Sequence, residues 1–292
     1  MCILLTPYSA GSSSLKATLL QSTTKNESEP STDRLLLAHA ERLGTPQSFI
    51  TFKTIAERPK ALPLSQTSRS LSNIAEGTVD NNQHSHYAKK RIEEANMTHR
   101  DALLHILSEI RQRSGGKHNK HWMESIVAVG HRIVHGGTKF TKSIIVDENI
   151  LYRIEGVSHL APLHNPANVE GIRILMKELP NVPPVAVFDT SFHTTMPPRA
   201  YTYPLPKQYR DELEVRKYGF HGTSVHYVMK MSEGMLSSAR PCRSNGGSDG
   251  WKMIIAHLGN GASVTAVDNG KVNSLNSIKK WTYFKIEGFI VN

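Results

Sequence analysis

The sequence predicts an α/β fold built from two similar domains, and three features of the chain lead to that prediction. Near the N-terminus, apolar stretches at Cys2–Tyr8 and Leu15–Leu20 flank a small-residue loop, which indicates two strands joined by a turn. The same order of strand, small-residue turn and strand recurs at residues 253–267. Between the two units, short β-branched runs alternate with helical patterns, as in α/β proteins. Small-residue turns are common, so the repeat by itself is only a weak sign of duplication.

Composition places the chain among globular proteins of ordinary polarity. Its 292 residues are enough for two domains, with 38% hydrophobic and 21% charged residues. No apolar run approaches the roughly 20 residues that cross a bilayer, so no membrane association is predicted. The net charge of +10 comes from 35 basic and 25 acidic residues that are scattered along the chain. A solvated basic surface is therefore favoured over nucleic-acid binding.

The cysteines and the first residues indicate the compartment. Cys2 and Cys242 form no readable disulfide framework, which favours a reducing compartment. The first 26 residues lack acids and are rich in Ser and Thr, as in transit peptides, but they contain no arginine. The apolar run Ile3–Leu5 is too short for a secretory core. We therefore expect a folded N-terminus and a cytoplasmic protein.

The first half of the chain is predicted as follows. Pro7 indicates that the first strand is an edge strand or ends early. Residues 22–33 are polar and predict a loop, whereas residues 84–113 carry a helical pattern that Ser114-Gly115-Gly116 ends. The β-branched run Ile126–Val129 then leads into the segment GHRIVHGG.

Two helices and a buried strand are predicted further on. Asn165 is expected to cap a helix that stops before Pro180. Val185–Phe188 reads as a buried strand that ends at Asp189, and a second helix is expected to start at Thr223. The Ser- and Gly-rich residues 234–250 predict a flexible insertion.

Several fragments carry residues suited to anions, each with a simpler alternative. Backbone amides in the turn Ser9–Lys16 can bind phosphate, although the fragment by itself favours an ordinary polar turn. The planar fork of Arg132 suits a carboxylate or phosphate, and the alternative is a structural salt bridge. His131 and His135 lie too far apart along a strand to share a metal, and no HExxH motif occurs.

Three further side chains are candidates for catalysis. Asp189 follows a buried strand, where α/β enzymes place catalytic groups, but an Asx-turn aspartate would look the same. His164 precedes a helix start, which favours anions. His221 could donate to developing negative charge. Both histidines could instead be structural.

The order of the fragments is more specific than any one of them. The segments AGSSSLK, GHRIVHGG, HLAPLHNP, VFDTSFH with MPPRAYTYPLP, KYGFHGTS and AHLGNGAS resemble, in sequence order, those of acetate kinases across about residues 9 to 272. The resemblance implies the duplicated, ribonuclease H-like fold of actin, Hsp70-type chaperones and sugar kinases. It implies an N-terminal domain at 1–189, the start of a nucleotide-binding domain at 190–272 and a divergent tail at 273–292.

The resemblance also implies the reaction and its residues. ATP and acetate, or another short carboxylate, would exchange a phosphoryl group directly, giving acetyl phosphate and ADP, with Mg²⁺. Asp189 would be the acid/base or orienting carboxylate, and His221 would stabilise the transition state. The carboxylate substrate would contact Arg132, Val134, Leu163, His164 and Phe220. The nucleotide phosphates would contact Ser12, Ser14, Lys16, His257, Leu258, Gly259, Asn260 and Gly261. A homodimer is implied as well.

Two departures from the family pattern bear on activity. Ser9 stands where the family has an asparagine that helps to place the metal. Ser9 is therefore expected to take that place, with weaker metal binding. The match is expected to end near Lys271, before a later arginine and the adenosine-binding half, so that the second domain is incomplete. Loss of such an arginine costs roughly 10³–10⁵ in rate. Little activity, or a non-catalytic remnant that binds anions or a partner, is therefore expected, and the strands at 253–267 should lack sheet neighbours.

Overall fold

The computed structural model describes residues 2–7, 13–24, 30–54, 89–114, 122–239, 251–259 and 261–278. The chain divides into two compact units. One contains residues 1–6 and 13–128, and the other contains residues 7–12 and 129–292. None of the helices in the described ranges is both long and apolar enough to cross a bilayer.

The described residues of the first unit form a row of five strands, antiparallel from the second to the fifth, and a helix. Its strands are β1 (Cys2–Pro7), β2 (Ser14–Thr24), β3 (Pro30–Glu41), β4 (Phe49–Thr54) and β5 (Lys89–Glu93), in the order β5-β4-β3-β2-β1. Alternate residues of the central strands are buried, as in Leu15, Ala17 and Leu19 of β2. The helix α1 (His99–Ser114) contacts β2 and buries its own apolar side chains.

Two predictions for this unit are wrong. Residues 22–24 and 30–33 belong to β2 and β3 rather than to a loop, because these two strands pair as far as Thr24 and Pro30. Residues 89–93 pair with β4 instead of forming helix. The helix starts later because Thr98 and Asp101 form a capping box: the Thr98 amide donates to Asp101 Oδ2 over 2.9 Å, and the Asp101 amide donates to Thr98 Oγ1 over 3.2 Å.

The second unit begins with a mixed sheet of order β6-β8-β7, formed by β6 (Ala128–Ile133), β7 (Ile144–Ile145) and β8 (Pro184–Phe188). Strands β6 and β8 are parallel, and β7 is antiparallel to β8. The helices α2 (Glu148–Gly156) and α3 (Asn165–Glu178) connect them and share a buried core that includes Ile133, Leu151 and Phe188.

The rest of the second unit is a helix on a three-stranded antiparallel sheet. After the short helices α4 (Pro198–Tyr201) and α5 (Lys207–Asp211), helix α6 (Gly222–Ala239) precedes β9 (Lys252–Leu258), β10 (Ala262–Asp268) and β11 (Lys271–Ile278). Val225 and Met229 of α6 pack against Ile255 and Val267 of the sheet.

Three expectations for this unit need correction. Asn165 is the first helical residue and does not cap α3, because its side chain instead bonds the backbone of His135. Residues 234–239 continue α6, so the predicted insertion is helical there, and residues 240–250 lie outside the described part. Strand β10 pairs on both sides, since β11 adds to it and buries Val272 and Leu275 against Met196.

Candidate active site

The centre of the site is an ion pair at the carboxyl ends of two parallel strands. The register of β6 and β8 places Ile133 opposite Phe188, so that the residues at the strand ends come together. The Asp189 amide donates to the Ile133 carbonyl over 2.9 Å. Arg132 Nε donates to Asp189 Oδ1 over 2.9 Å, and Arg132 Nη2 donates to Oδ2. Arg132 is therefore held by a two-point contact with a carboxylate that is only 1% exposed.

The start of α6 completes the surroundings of Asp189. Thr223 Oγ1 donates to Asp189 Oδ1 over 3.1 Å, and the Gly222 amide donates to the Asp189 carbonyl over 3.0 Å. A Cβ at position 222 would lie 2.2 Å from that carbonyl oxygen, which requires glycine there. Both carboxylate oxygens of Asp189 thus accept hydrogen bonds from the protein, an arrangement suited to orienting the Arg132 guanidinium.

A pair of stacked histidines lies next to this ion pair. The rings of His221 and His257 are 4.1 Å apart between centroids and inclined by 20°. His221 Nδ1 is 3.0 Å from Ser263 Oγ, and His257 Nδ1 is 2.9 Å from Ser224 Oγ. His221 has a φ of +61°, a left-handed conformation that non-glycine residues rarely adopt. The turn before α6 therefore holds the His221 ring against the hairpin of β9 and β10.

Burial favours the neutral form of the histidines around the ion pair. Burial, together with neighbouring His257, lowers the pKa of His221 to about 4. Burial and then the positive charge of Arg132 lower the pKa values of His164 and His257. All three imidazoles are thus within electrostatic reach of Arg132, and each can donate one N–H without adding charge to the site.

Two asparagines and a threonine fix the loop that follows β6. Asn168 Oδ1 accepts from the Val134 amide over 3.2 Å, and Asn165 bonds both the amide and the carbonyl of His135. Thr190 Oγ1 accepts from the Gly136 amide over 3.0 Å. Because these side chains satisfy buried backbone groups, the loop beside Arg132 has one defined conformation.

The other predicted site residues occupy varied positions. Val134 and Phe220 are half-buried, whereas Leu163 is 70% exposed. Leu258 and Gly259 are exposed at the end of β9, and Gly261 lies beside the His221 ring. Ser14 and Lys16 lie on β2 of the first unit, where Lys16 lines a cavity of about 420 Å³ together with His39, Lys53 and Lys89. Ser9, Ser12 and Asn260 fall outside the described residues.

Sequence reasoning missed Thr223, Ser224 and Ser263 as members of the site. All three lie inside the segments KYGFHGTS and AHLGNGAS. A hydroxyl residue within a few positions of a motif histidine is the sequence feature that could have identified them. Their partners lie 33 to 42 residues away along the chain. The packing of α6 on the hairpin brings the two serines to their histidines, and the contact of α6 with the end of β8 brings Thr223 to Asp189.

The described side chains do not fit a resident magnesium site. Within the described ranges, no three His, Cys, Asp or Glu side chains are grouped so that they could hold a metal ion. Asp189, the carboxylate at the centre of the site, has both oxygens engaged by Arg132 and Thr223. Mg²⁺ binds carboxylate oxygens together with water and phosphate oxygens. The Asp189 carboxylate, already engaged, does not supply protein ligands for the ion.

Comparison with known proteins identifies one family by both sequence and structure. Residues 62–277 match the Acetokinase family. The acetate kinase of Agathobacter rectalis is 46% identical over 183 residues, which are 62% of this chain and 44% of that protein. Among solved structures, the acetate kinase of Porphyromonas gingivalis has a TM-score of 0.69 at 33% identity and covers 96% of this chain and 57% of its own. A propionate kinase from Francisella tularensis has a TM-score of 0.69 at 31% identity, covering 94% and 56%.

These relatives share an actin-like ATPase fold with this chain, and the chain spans about half of their length. The family match also runs to residue 277, beyond the expected end near Lys271 and into β11. Since the match covers most of the chain and includes the Arg132–Asp189 pair and both histidines, the chain belongs to the acetokinase family.

Proposed function

We propose that the chain carries the carboxylate-binding part of a phosphotransferase that exchanges a phosphoryl group between ATP and acetate or a closely related short carboxylate. The similar proteins include acetate kinases and a propionate kinase, which supports a small acid as substrate. The observation that carries the proposal is the two-point contact between Arg132 and buried Asp189 beside two neutral histidines.

The arrangement supports a separate role for each of Arg132, Asp189 and His221. Asp189 accepts two hydrogen bonds from the Arg132 guanidinium and fixes its orientation, and Arg132 would contribute its positive charge to binding the carboxylate or the transferred phosphoryl group. Asp189 would position Arg132 and not act as an acid/base, because both its oxygens already accept hydrogen bonds. His221 would donate an N–H to a phosphoryl oxygen. Catalysis would then come from positioning and charge neutralisation.

Further features are part of the same proposal. Val134, Leu163 and Phe220 would border the apolar end of the acid, and His164 would face its carboxylate. Mg²⁺ would enter on the nucleotide phosphates and would supply charge neutralisation there. Ser14 and Lys16 would contact the nucleotide phosphates, and so would His257, Leu258, Gly259 and Gly261. A cytoplasmic homodimer is the expected form of the protein.

The proposal is tested by trapping acyl phosphate. The full chain is incubated with acetate, ATP and Mg²⁺, and the acyl phosphate is captured with hydroxylamine as the hydroxamate. Arg132→Ala should lower the rate by a factor on the order of 10³, because it removes a charge-stabilising arginine. Arg132→Lys should recover only part of this loss, since an ammonium cannot make the two-point contact.

A matched control is available on the surface of the same unit. Arg173 pairs with Glu155 over 2.8 Å while 48% exposed, so Arg173→Ala removes an arginine ion pair away from the site and should leave the rate unchanged. Equal hydroxamate from the unaltered chain and Arg132→Ala would rule out the proposed activity. Calorimetric binding of acetate or phosphate without turnover would instead identify an anion-binding protein.

A further inference from the structure

We propose that Ser263 is a positioning residue that holds His221 in the Nε2–H form, so that this histidine donates a hydrogen bond to the anion. The inference rests on the proposed phosphoryl transfer and assigns a role to a residue that sequence reasoning did not select. It also explains why two histidines and two serines occur together at this site.

The four side chains form a reciprocal arrangement between α6 and the β9–β10 hairpin. His221 precedes α6 and bonds Ser263 on β10, while His257 on β9 bonds Ser224 in the first turn of α6. The antiparallel register places Ser263 directly opposite His257, so the two side chains share one face of the sheet. Each element therefore offers a histidine to the serine of the other.

The burial of Ser263 decides which atom carries the proton. Ser263 has 0% exposure, and its hydroxyl makes no other hydrogen bond within the part of the chain that the structure describes. A buried O–H without an acceptor is costly, so the Ser263 hydroxyl donates to His221 Nδ1. A neutral imidazole that accepts at Nδ1 carries its hydrogen on Nε2. Ser224 is half-buried, so the same argument constrains His257 less.

The Nε2 atom of His221 lies beside Gly261. A Cβ at position 261 would lie 3.4 Å from His221 Nε2, so the glycine leaves that position without a side chain. The charged and titratable groups that act on His221 are His257, Asp189, Arg132 and His193. Stacking on His257 and the charge of Arg132 both oppose a second positive charge. The ring is thus a neutral donor whose Nε2 lies beside Gly261.

The opposite form would not serve this site. If the hydrogen were on Nδ1, the Nε2 lone pair would face an incoming phosphoryl oxygen, and the contact would be repulsive. Ser263 would therefore convert a histidine that can either donate or accept into one that only donates. This is the kind of preorganised donor that stabilises charge developing in a transition state.

The wild-type chain tests the inference directly. Histidine-selective ¹⁵N labelling of the full chain and long-range ¹H–¹⁵N spectra at about pH 7 report which ring nitrogen is protonated. The expected result is a neutral His221 with a pyrrole-type Nε2 and a pyridine-type Nδ1. An Nδ1–H form of His221 would overturn the inference, and this measurement needs neither a folded variant nor catalysis.

Two serine variants form a matched pair for the same measurement. Ser263→Ala should let the Nδ1–H form of His221 become populated, whereas Ser224→Ala should change the His257 signals and leave the form of His221 as it is. A folded Ser263→Ala chain whose His221 spectrum equals that of the wild type would refute the role of Ser263. Circular dichroism of both variants shows whether the fold is retained.

The kinetic consequence separates positioning from simple stability. Ser263→Ala should lower kcat roughly tenfold, the size of one hydrogen bond, with the KM for acetate unchanged, and Ser263→Thr should recover the rate by restoring a hydroxyl. If the hydroxamate assay detects no turnover by the wild type, the proposed function fails, while the ¹⁵N spectrum still decides the state of His221. A fall in kcat that Ser263→Thr does not reverse would count against the inference.

Discussion

Replacing Asp189 by asparagine is the sharpest test of how the site is held together. The amide has the shape of the carboxylate but carries no charge and turns one acceptor oxygen into an NH₂ donor. That NH₂ group must face a donor, because one carboxylate oxygen accepts from Thr223 and Arg132 Nε and the other accepts from Arg132 Nη2. In either orientation of the amide, Arg132 loses one of its two hydrogen bonds to this side chain and the negative charge that it faces.

The size of the effect follows from burial. Removing one partner of a buried ion pair destabilises a protein by about 3–5 kcal/mol. Asp189 is 1% exposed and Arg132 is 20% exposed, so water can compensate part of the uncovered charge on Arg132. We therefore expect the lower end, about 3 kcal/mol, which corresponds to a fall in Tm of roughly 6–12 °C for a chain of this size.

Urea and thermal denaturation followed by circular dichroism would measure this loss. The double variant Asp189→Asn with Arg132→Gln should be more stable than the sum of the single losses predicts, because it removes both charges of the pair together. Glu155→Gln breaks an exposed arginine pair and should cost less than about 1 kcal/mol. An Asp189→Asn chain as stable as Glu155→Gln would refute the view that Asp189 holds Arg132.

Two further predictions concern the helix start and acid stability. Gly222→Ala places a Cβ 2.2 Å from the Asp189 carbonyl and should cost about 1–3 kcal/mol, whereas Gly234→Ala in the same helix meets nothing within 4 Å and should stabilise by about 0.5–1 kcal/mol. Urea denaturation of both variants checks this, and equal effects would contradict it. Burial lowers the pKa of His131 to about 4. The unfolded chain therefore binds more protons, and stability is lost as the pH falls from about 6.5 to about 4. His131→Phe should reduce this loss of unfolding free energy by about 2–3 kcal/mol. Urea denaturation near neutral pH and near pH 4.5 measures the loss, and an equal loss in the wild-type chain and in His131→Phe would contradict the prediction.

Local sequence patterns predicted many elements of the fold. The apolar runs at Leu15–Leu20, Val185–Phe188 and Met253–His257 are strands, and the helical stretch before Pro180 ends at Glu178. The predictions that failed depended on distant partners. Residues 89–93 read as helix because their own pattern is weak, and they form a strand only because β4 pairs with them. The capping box at Thr98–Asp101 was visible in the sequence and marks the true helix start.

The order of motifs along the chain was enough to predict the family, since six segments in a fixed order are specific even when each is weak. It also placed Arg132 and Asp189 at the ends of apolar runs, where parallel strands bring such residues together. These features are local, because burial periodicity and turn chemistry are written in neighbouring residues.

The tertiary structure alone decided the partners of the site residues. Asp189 bonds Thr223 34 residues away, and His221 bonds Ser263 42 residues away. Asn165, which reads locally as a helix cap, instead serves a loop 30 residues earlier. A hydrogen-bond partner across such a distance depends on how helix and sheet pack, and side-chain type alone does not encode that geometry.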